Sequence, residues 1–169
     1  MKNAILLGFI VCSLTFTHAQ YKLDKGKAQL NAGVGFSGWG IPVYIGLDYG
    51  VHKNISVGGE LSFRSYSNYY RGYGYNHQIF GLSANGNYHF NSVFKIPREW
   101  DLYAGLNLGF YFWSSPNDYR SDRYDNGTGV GLGLQVGGRY YFSDKFGINL
   151  ELGGGSAFSG GKFGISYAF

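Results

Sequence analysis

Six charged residues stand inside stretches that otherwise alternate apolar with small or polar residues: Asp48, Glu60, Arg64, Arg139, Glu151 and Lys162. Carboxylates and cations set among apolar neighbours either neutralise one another in a closed interior or line a path for ions. Their order along the chain brings Glu151 close to Arg139 on the preceding segment and to Lys162 on the following one, so Glu151 is expected to compensate both cations. Neutralisation is the preferred reading, because an unpaired charge in a packed interior costs several kcal/mol.

A second stretch carries recognition chemistry. Ser65 to Asn76 is dense in Tyr, Ser, Gly, Asn and Arg, with Tyr66, Tyr69, Tyr70, Arg71, Tyr73 and Tyr75 as candidate contact residues for an extracellular ligand, protein or glycan. Such residues supply large, adaptable contact surfaces. The plainer alternative is that these tyrosines pack on one another at a rim.

Catalysis and metal binding find little support. His52 falls in a tight turn, His77 and His89 belong to the polar face, and no His stands beside a Ser in a short motif. Within Ser114–Gly127, Asp118, Asp122, Asp125 and Asn126 suggest a calcium loop. The ligand spacing is missing, however, and Arg120 and Arg123 neutralise the stretch. Cys12, the single cysteine, lies in the N-terminal apolar run, which leaves no thiolate or disulfide chemistry for the rest of the chain. Gly129, Gly131 and Gly133 alternate at strand spacing with no helix to follow, so they do not form a phosphate loop. No cofactor is expected.

The elements that hold these residues have a period of two. Apolar sets recur over 28–36, 43–51, 55–63, 80–90, 102–112, 130–142, 146–152 and 163–169. Eight strands result, each near the ~9–11 residues that a tilted strand needs to cross a bilayer. Pro42, Pro97 and Pro116 all fall between strands, where a missing N–H breaks no ladder. Tight turns at 51–54 and 143–145, with a longer relative at 91–98, alternate with loops at 65–76 and 114–127 and shorter ones at 38–42 and 153–160. Such alternation marks an outer-membrane barrel, and an even strand count leaves both termini in the periplasm.

The charges decide which face meets lipid. All six have the parity opposite to the apolar set, and their face is otherwise Gly, Ser, Asn, Gln and Tyr. As the outside of a soluble barrel that face would be poor in Lys and Glu; as the inside of a narrow one it makes room for Tyr and Arg. Charged residues are only 14% of the chain and aromatics 20%. Aromatic residues gather at the turn ends of the strands, among them Tyr49, Tyr88, Phe90, Tyr140, Phe142, Phe146, Tyr167 and Phe169, as in an interfacial girdle.

Residues 1–19 read as a secretory signal peptide: Lys2, an apolar run from Ala4 to Phe16, and Thr17-His18-Ala19. That run is too short to span a membrane as a helix. Residues 20–27 form a polar lead-in and 28–169 the barrel. Without Lys2, 13 basic residues face 10 acidic ones, a net charge of +3 with no basic block, so no nucleic-acid partner is expected.

The last stretch reads Gly161-Lys162-Phe163-Gly164-Ile165-Ser166-Tyr167-Ala168-Phe169. It resembles the C-terminal assembly signal of bacterial outer-membrane barrels, with Lys162, Gly164, Tyr167 and Phe169 at the informative positions. Leader, eight strands and terminal pattern together resemble the small eight-stranded outer-membrane β-barrel family, the OmpA/OmpX-like barrel domains. The run Arg139 to Gly147 is similar to the penultimate hairpin of many members. The resemblance implies an all-β, eight-stranded antiparallel up-and-down transmembrane barrel in the outer membrane, surrounded by lipid and inserted by the barrel-assembly machinery. Nothing follows Phe169, so the peptidoglycan-binding domain of larger members is not expected. For function, the leading expectation is a structural or interaction protein without catalysis; a narrow channel for ions or small solutes comes second and a lipid-modifying enzyme third.

Overall fold

The computed structural model describes residues 23–38, 40–70, 73–114, 129–156 and 158–169. Eight strands form one closed antiparallel barrel in sequence order. They are β1 (Ala28–Ser37), β2 (Val43–His52), β3 (Ile55–Tyr70), β4 (Tyr73–His89), β5 (Trp100–Ser114), β6 (Gly129–Tyr141), β7 (Phe146–Gly155) and β8 (Gly160–Ala168). A single helical turn, α1 (Asn91–Phe94), lies between β4 and β5. The barrel closes where β8 pairs with β1, from Gln29↔Ala168 to Ser37↔Gly160. Closure leaves no strand edge to satisfy with solvent, which lipid could not provide.

The alternating sequence dictates the faces. Leu30, Ile45, Leu47, Leu61, Leu82, Leu106, Leu134, Leu150 and Ile165 all point outward and are exposed, while Gln29, Asp48, Ser56, Asn87, Asn107, Gln135, Arg139, Asn149 and Ser166 are buried within. Apolar outside and polar inside reverses a soluble core and matches a barrel in lipid. Ring contacts at the tight-turn end join Trp100 to Tyr140 and Phe146 to Tyr167, both with centroids 4.8 Å apart. Tyr88 meets Phe90 and Phe90 meets Phe94, which carries the aromatic band out along α1.

Two expectations about connections need correction. The stretch 65–76 is not an irregular loop: β3 has 16 residues and β4 has 17, paired as far as Tyr70↔Tyr73. Tyrosine is a strong strand former and this stretch lacks proline, so the ladder runs on. β2 stops pairing with β3 at Val43↔Phe63, and the described pairing of β5 with β4 reaches Gln78↔Ser114, so the end of the hairpin is a two-stranded ribbon that stands beyond β2. The connection expected at 153–160 is also shorter, because β7 continues to Gly155 and β8 begins at Gly160. The leader 1–19 and residues 115–128, with Asp118, Asp122, Asp125 and Asn126, lie outside the described residues.

The lead-in is fastened to the barrel. Gly26 N–H donates to Gly50 O at 2.8 Å and Gly50 N–H to Lys27 O at 2.9 Å. Leu23 is buried there, and a Cβ on Gly50 would strike the carbonyls of Leu23 and Asp24. Glycine is required at position 50 because backbone crosses its inner face.

Candidate functional site: the barrel lumen

Lumen residues are contributed by all eight strands, and their side chains form stacked layers. Nearest the tight turns, Arg139 on β6 donates through Nη2 to Asp48 Oδ2 on β2 at 2.6 Å and through Nη1 to Asp101 Oδ2 on β5 at 3.0 Å. Asn31 Nδ2 also donates to Asp48 Oδ2, at 2.9 Å. Asn31 Oδ1 accepts from Gln29 and from Ser166, and Tyr141 donates its hydroxyl to Gln29. Ser166 in turn accepts from Asn149, which accepts from the Tyr44 hydroxyl at 2.7 Å. Hydrogen-bonding nearly every buried polar group is the condition for keeping such a layer at all.

The second layer is built on Lys162. Its ammonium lies 2.8 and 2.9 Å from the two oxygens of Glu60 and 3.2 Å from Glu151 Oε1. Phe158 lies 4.8 Å from it, ring centroid to Nζ. Alongside it, Asn107 donates to Gln135 at 2.9 Å and Gln135 to Asn87 at 2.7 Å. Arg64 sits nearer the long-hairpin end, donating to Ser37 Oγ at 3.0 Å with its guanidinium 5.4 Å from the Tyr111 ring centroid. Two cavities of about 20 Å³ each lie on either side of the Lys162–Glu60 pair, which borders both. Each holds about one water molecule.

Glycines make this filling possible. A Cβ on Gly137 would enter the Tyr103 ring, and one on Gly164 would meet the Tyr44 hydroxyl at 2.6 Å. Two features of the terminal stretch are therefore explained by packing: Lys162 by its carboxylates and Gly164 by the Ala32 carbonyl and Tyr44. Tyr167 packs on Phe146 outside, and Phe169 closes the last rung by donating its N–H to Ala28 O at 3.0 Å.

The expected partner of Arg139 is not Glu151. Arg139 stands opposite Asn149, and Glu151 opposite Gly137. Tyr103 occupies the space over Gly137, with its ring centroid 4.3 Å from the guanidinium carbon of Arg139 and its hydroxyl donated to Glu151 at 2.9 Å. Asp101 stands just outside the fifth apolar set, which begins at Leu102; extending the alternation back one residue gives it lumen parity. Tyr66, Tyr69, Tyr70, Tyr73 and Tyr75 fall on the ribbon, with Tyr66 opposite His77 and Tyr75 opposite Asn68. Arg71 lies outside the described residues.

The structure also joins a serine to a histidine where the sequence shows no such pair. Ser56 Oγ lies 2.9 Å from His89 Nε2, and His89 Nδ1 lies 2.8 Å from Asp101 Oδ1. That is the order of nucleophile, base and orienting acid. Reaction also needs room for a substrate at the nucleophile and donors for the oxyanion. Ser56 is fully buried and lines neither lumen cavity, and Arg139 holds the other oxygen of Asp101. Here the three form a hydrogen-bond chain that anchors the base of β3, β4 and β5. Among the described residues, no group of His, Asp and Glu converges on a metal position.

An outward apolar band around a polar, ion-paired lumen is the arrangement of a membrane barrel. The sequence model for the outer membrane protein beta-barrel domain matches residues 4–168. The chain belongs to that family. It is a transmembrane protein of the bacterial outer membrane. The fold is similar to the outer membrane protein OprG from Pseudomonas aeruginosa, with a TM-score of 0.67 at 9% identity over 86% of this chain and 97% of that one. It is also similar to the N-terminal barrel domain of OprF from the same organism, with a TM-score of 0.53 at 15% identity over 86% of this chain and 98% of that one. Neisserial surface protein A gives a TM-score of 0.53 at 15% identity over 85% and 95% of the two chains. At these identities the likeness is one of fold. No curated protein matches the chain in sequence.

Proposed function

We propose that this outer membrane protein is a plugged barrel, with its tight-turn end and both termini in the periplasm, that acts through what its long hairpin presents to the outside. Conduction and catalysis are not part of this role. One observation carries the reading: Lys162 bridges Glu60 and Glu151 across the lumen above the Arg139–Asp48–Asp101 cluster, and the two cavities beside the bridge are water-sized. An eight-stranded interior filled by side chains has no continuous aqueous path. The contrast between tight turns and the long hairpin supports the orientation. The buried Ser56 speaks against hydrolysis.

Planar-bilayer recording tests the plug: the refolded protein should give no conductance above the lipid baseline, and steady unitary steps would favour the channel reading. Lipid extracts from a deletion strain should keep their acyl composition by mass spectrometry, and a lost lipid species would favour the enzyme reading. The ribbon carrying Tyr66, Tyr69, Tyr70, Tyr73 and Tyr75, with Arg71 next to Tyr70 in sequence, is the proposed recognition surface for an extracellular protein or glycan. Immobilised polysaccharides should retain the parent but not a variant with Tyr70 and Tyr75 changed to Ala; equal retention would sink the assignment. In the same reading Phe169 and Tyr167 are engaged by the barrel-assembly machinery, so removing Phe169 should slow insertion in cells.

A further inference from the structure

Exposed charge outside the lumen, among the described residues, gathers at one rim. Among the described residues, the exposed cations are Lys25 and Lys27 in the lead-in, Lys53 in the β2–β3 turn, Lys95 and Arg98 between α1 and β5, and Lys145 in the β6–β7 turn. All lie at the tight-turn end, where the exposed acidic residues are Asp24 and Asp144 and Glu99 is half-buried. Up-and-down topology brings these separate connections into one ring. A small excess of basic residues over the chain thus becomes a strong excess locally.

The ring is continuous with the lipid-facing surface. Phe94 is 67% exposed and immediately precedes Lys95, while its ring stacks on Phe90 of the aromatic band. Phe142 is 58% exposed beside the turn that holds Lys145, and the Lys145 ammonium lies 6.0 Å from the Tyr167 ring centroid. Trp100 follows Arg98 closely and packs on Tyr140. Aromatic bodies with cations at the same depth suit the headgroup layer, where apolar stems lie in lipid and charged tips reach the phosphates.

From this placement we infer that the tight-turn rim is a binding ring for anionic phospholipid headgroups, with Lys53, Lys95, Arg98 and Lys145 as the cations that hold the phosphates. Clustered basic residues at a membrane surface attract anionic lipid additively. A soluble wall polymer would meet the same charge, but it would not require exposed Phe94 and Phe142 at the same level. The assignment of the ring to the inner leaflet rests on the orientation proposed above; the affinity for anionic headgroups does not.

The test uses the full chain with Trp39→Phe and Trp113→Phe, so that Trp100 is the remaining tryptophan and is excited selectively over tyrosine, reconstituted in symmetric bilayers of phosphatidylcholine and phosphatidylglycerol. Brominated phosphatidylglycerol should quench Trp100 with a several-fold preference over brominated phosphatidylcholine. The preference should fall to about one in K53Q/K95Q/R98Q/K145Q and at about 1 M salt, where the Debye length is short. Heat-modifiable migration identical to that of the parent establishes that the variant is folded, and K95Q/R98Q alone should halve the preference if the larger set does not fold. Equal quenching by both lipids in the parent, or an unchanged preference in the folded variant, would overturn the inference. So would retention on isolated sacculi, lost in the variant, without any lipid preference. Symmetric bilayers make the result independent of orientation, which cysteine labelling from either side measures separately.

Discussion

Tyr103 stands between Arg139 and Glu151, its ring under the guanidinium at 4.3 Å and its hydroxyl donated to the carboxylate at 2.9 Å. One side chain thus separates two groups of lumen charges, with Arg64 apart from both. Arg139 belongs with Asp48 and Asp101, and Glu151 with Lys162 and Glu60. Tyr103→Phe keeps the cation–π contact and strands one oxygen of Glu151, so it should cost about 1.5–3 kcal/mol in urea unfolding in lipid. Tyr103→Leu, which loses both contacts, should cost more; equal costs would deny the ring contact any part.

Arg139 neutralises two buried carboxylates, so Arg139→Met should cost about 3–5 kcal/mol. Replacing the group as a whole, D48N/D101N/R139M, should recover more than half of that loss, because the uncompensated charges go with the cation. No recovery in the triple variant would mean that packing, not charge, sets the cost.

Within the second group the two carboxylates are unequal. Glu60 offers both oxygens to Lys162 and Glu151 offers one at 3.2 Å. Glu60→Ala should cost about 3 kcal/mol and Glu151→Ala about half as much. The reverse order, measured by the same unfolding transition, would restore Glu151 to the central position expected from strand order.

Gly137 is tied to Tyr103 by space. Gly137→Ala should cost about 1–3 kcal/mol by forcing the ring aside. In a Tyr103→Leu background the same change should cost distinctly less, and a double-mutant cycle gives the coupling. Additive costs would separate the two residues.

Outside, Leu106 and Leu134 face each other across β5 and β6. An Arg at either position should destabilise by about 2–4 kcal/mol if it lies near the bilayer midplane, whereas Leu106→Phe should be nearly neutral. Tolerance of Arg at both positions would contradict a lipid-facing surface.

The barrel was legible because period two is a local property: Leu30, Ala32 and Val34 state their own facing without reference to any partner. Charge parity supplied the inside-out sense, and it holds for Asp48, Glu60, Arg64, Arg139, Glu151 and Lys162, which are buried or half-buried on the lumen side. Pairing across the lumen was not legible. Strand order gives neighbours, yet Arg139 reaches Asp48, 91 residues away, past Gly137 and over Tyr103. Such reach depends on barrel diameter and on which glycines leave room. The Ser56–His89–Asp101 chain was hidden for a similar reason, since its members come from β3, β4 and the first turn of ladder in β5. The hairpin from Ser65 to Asn76 misled because Tyr, Ser and Asn serve loops and solvent-exposed strands alike.

The seam between β1 and β8 also has a kinetic consequence. It joins the first strand of the barrel to the last, so its contacts are the most distant in sequence and carry the largest loop-closure entropy. Until Gly160 to Ala168 arrives, β1 presents an open row of N–H and C=O groups to any other chain that can pair with it. Hairpins between consecutive strands close over short connections, but that exposed edge persists until β8 docks. The interval before β8 docks is therefore when the chain is most vulnerable to aggregation, and a chaperone that shields the β1 edge would protect it best.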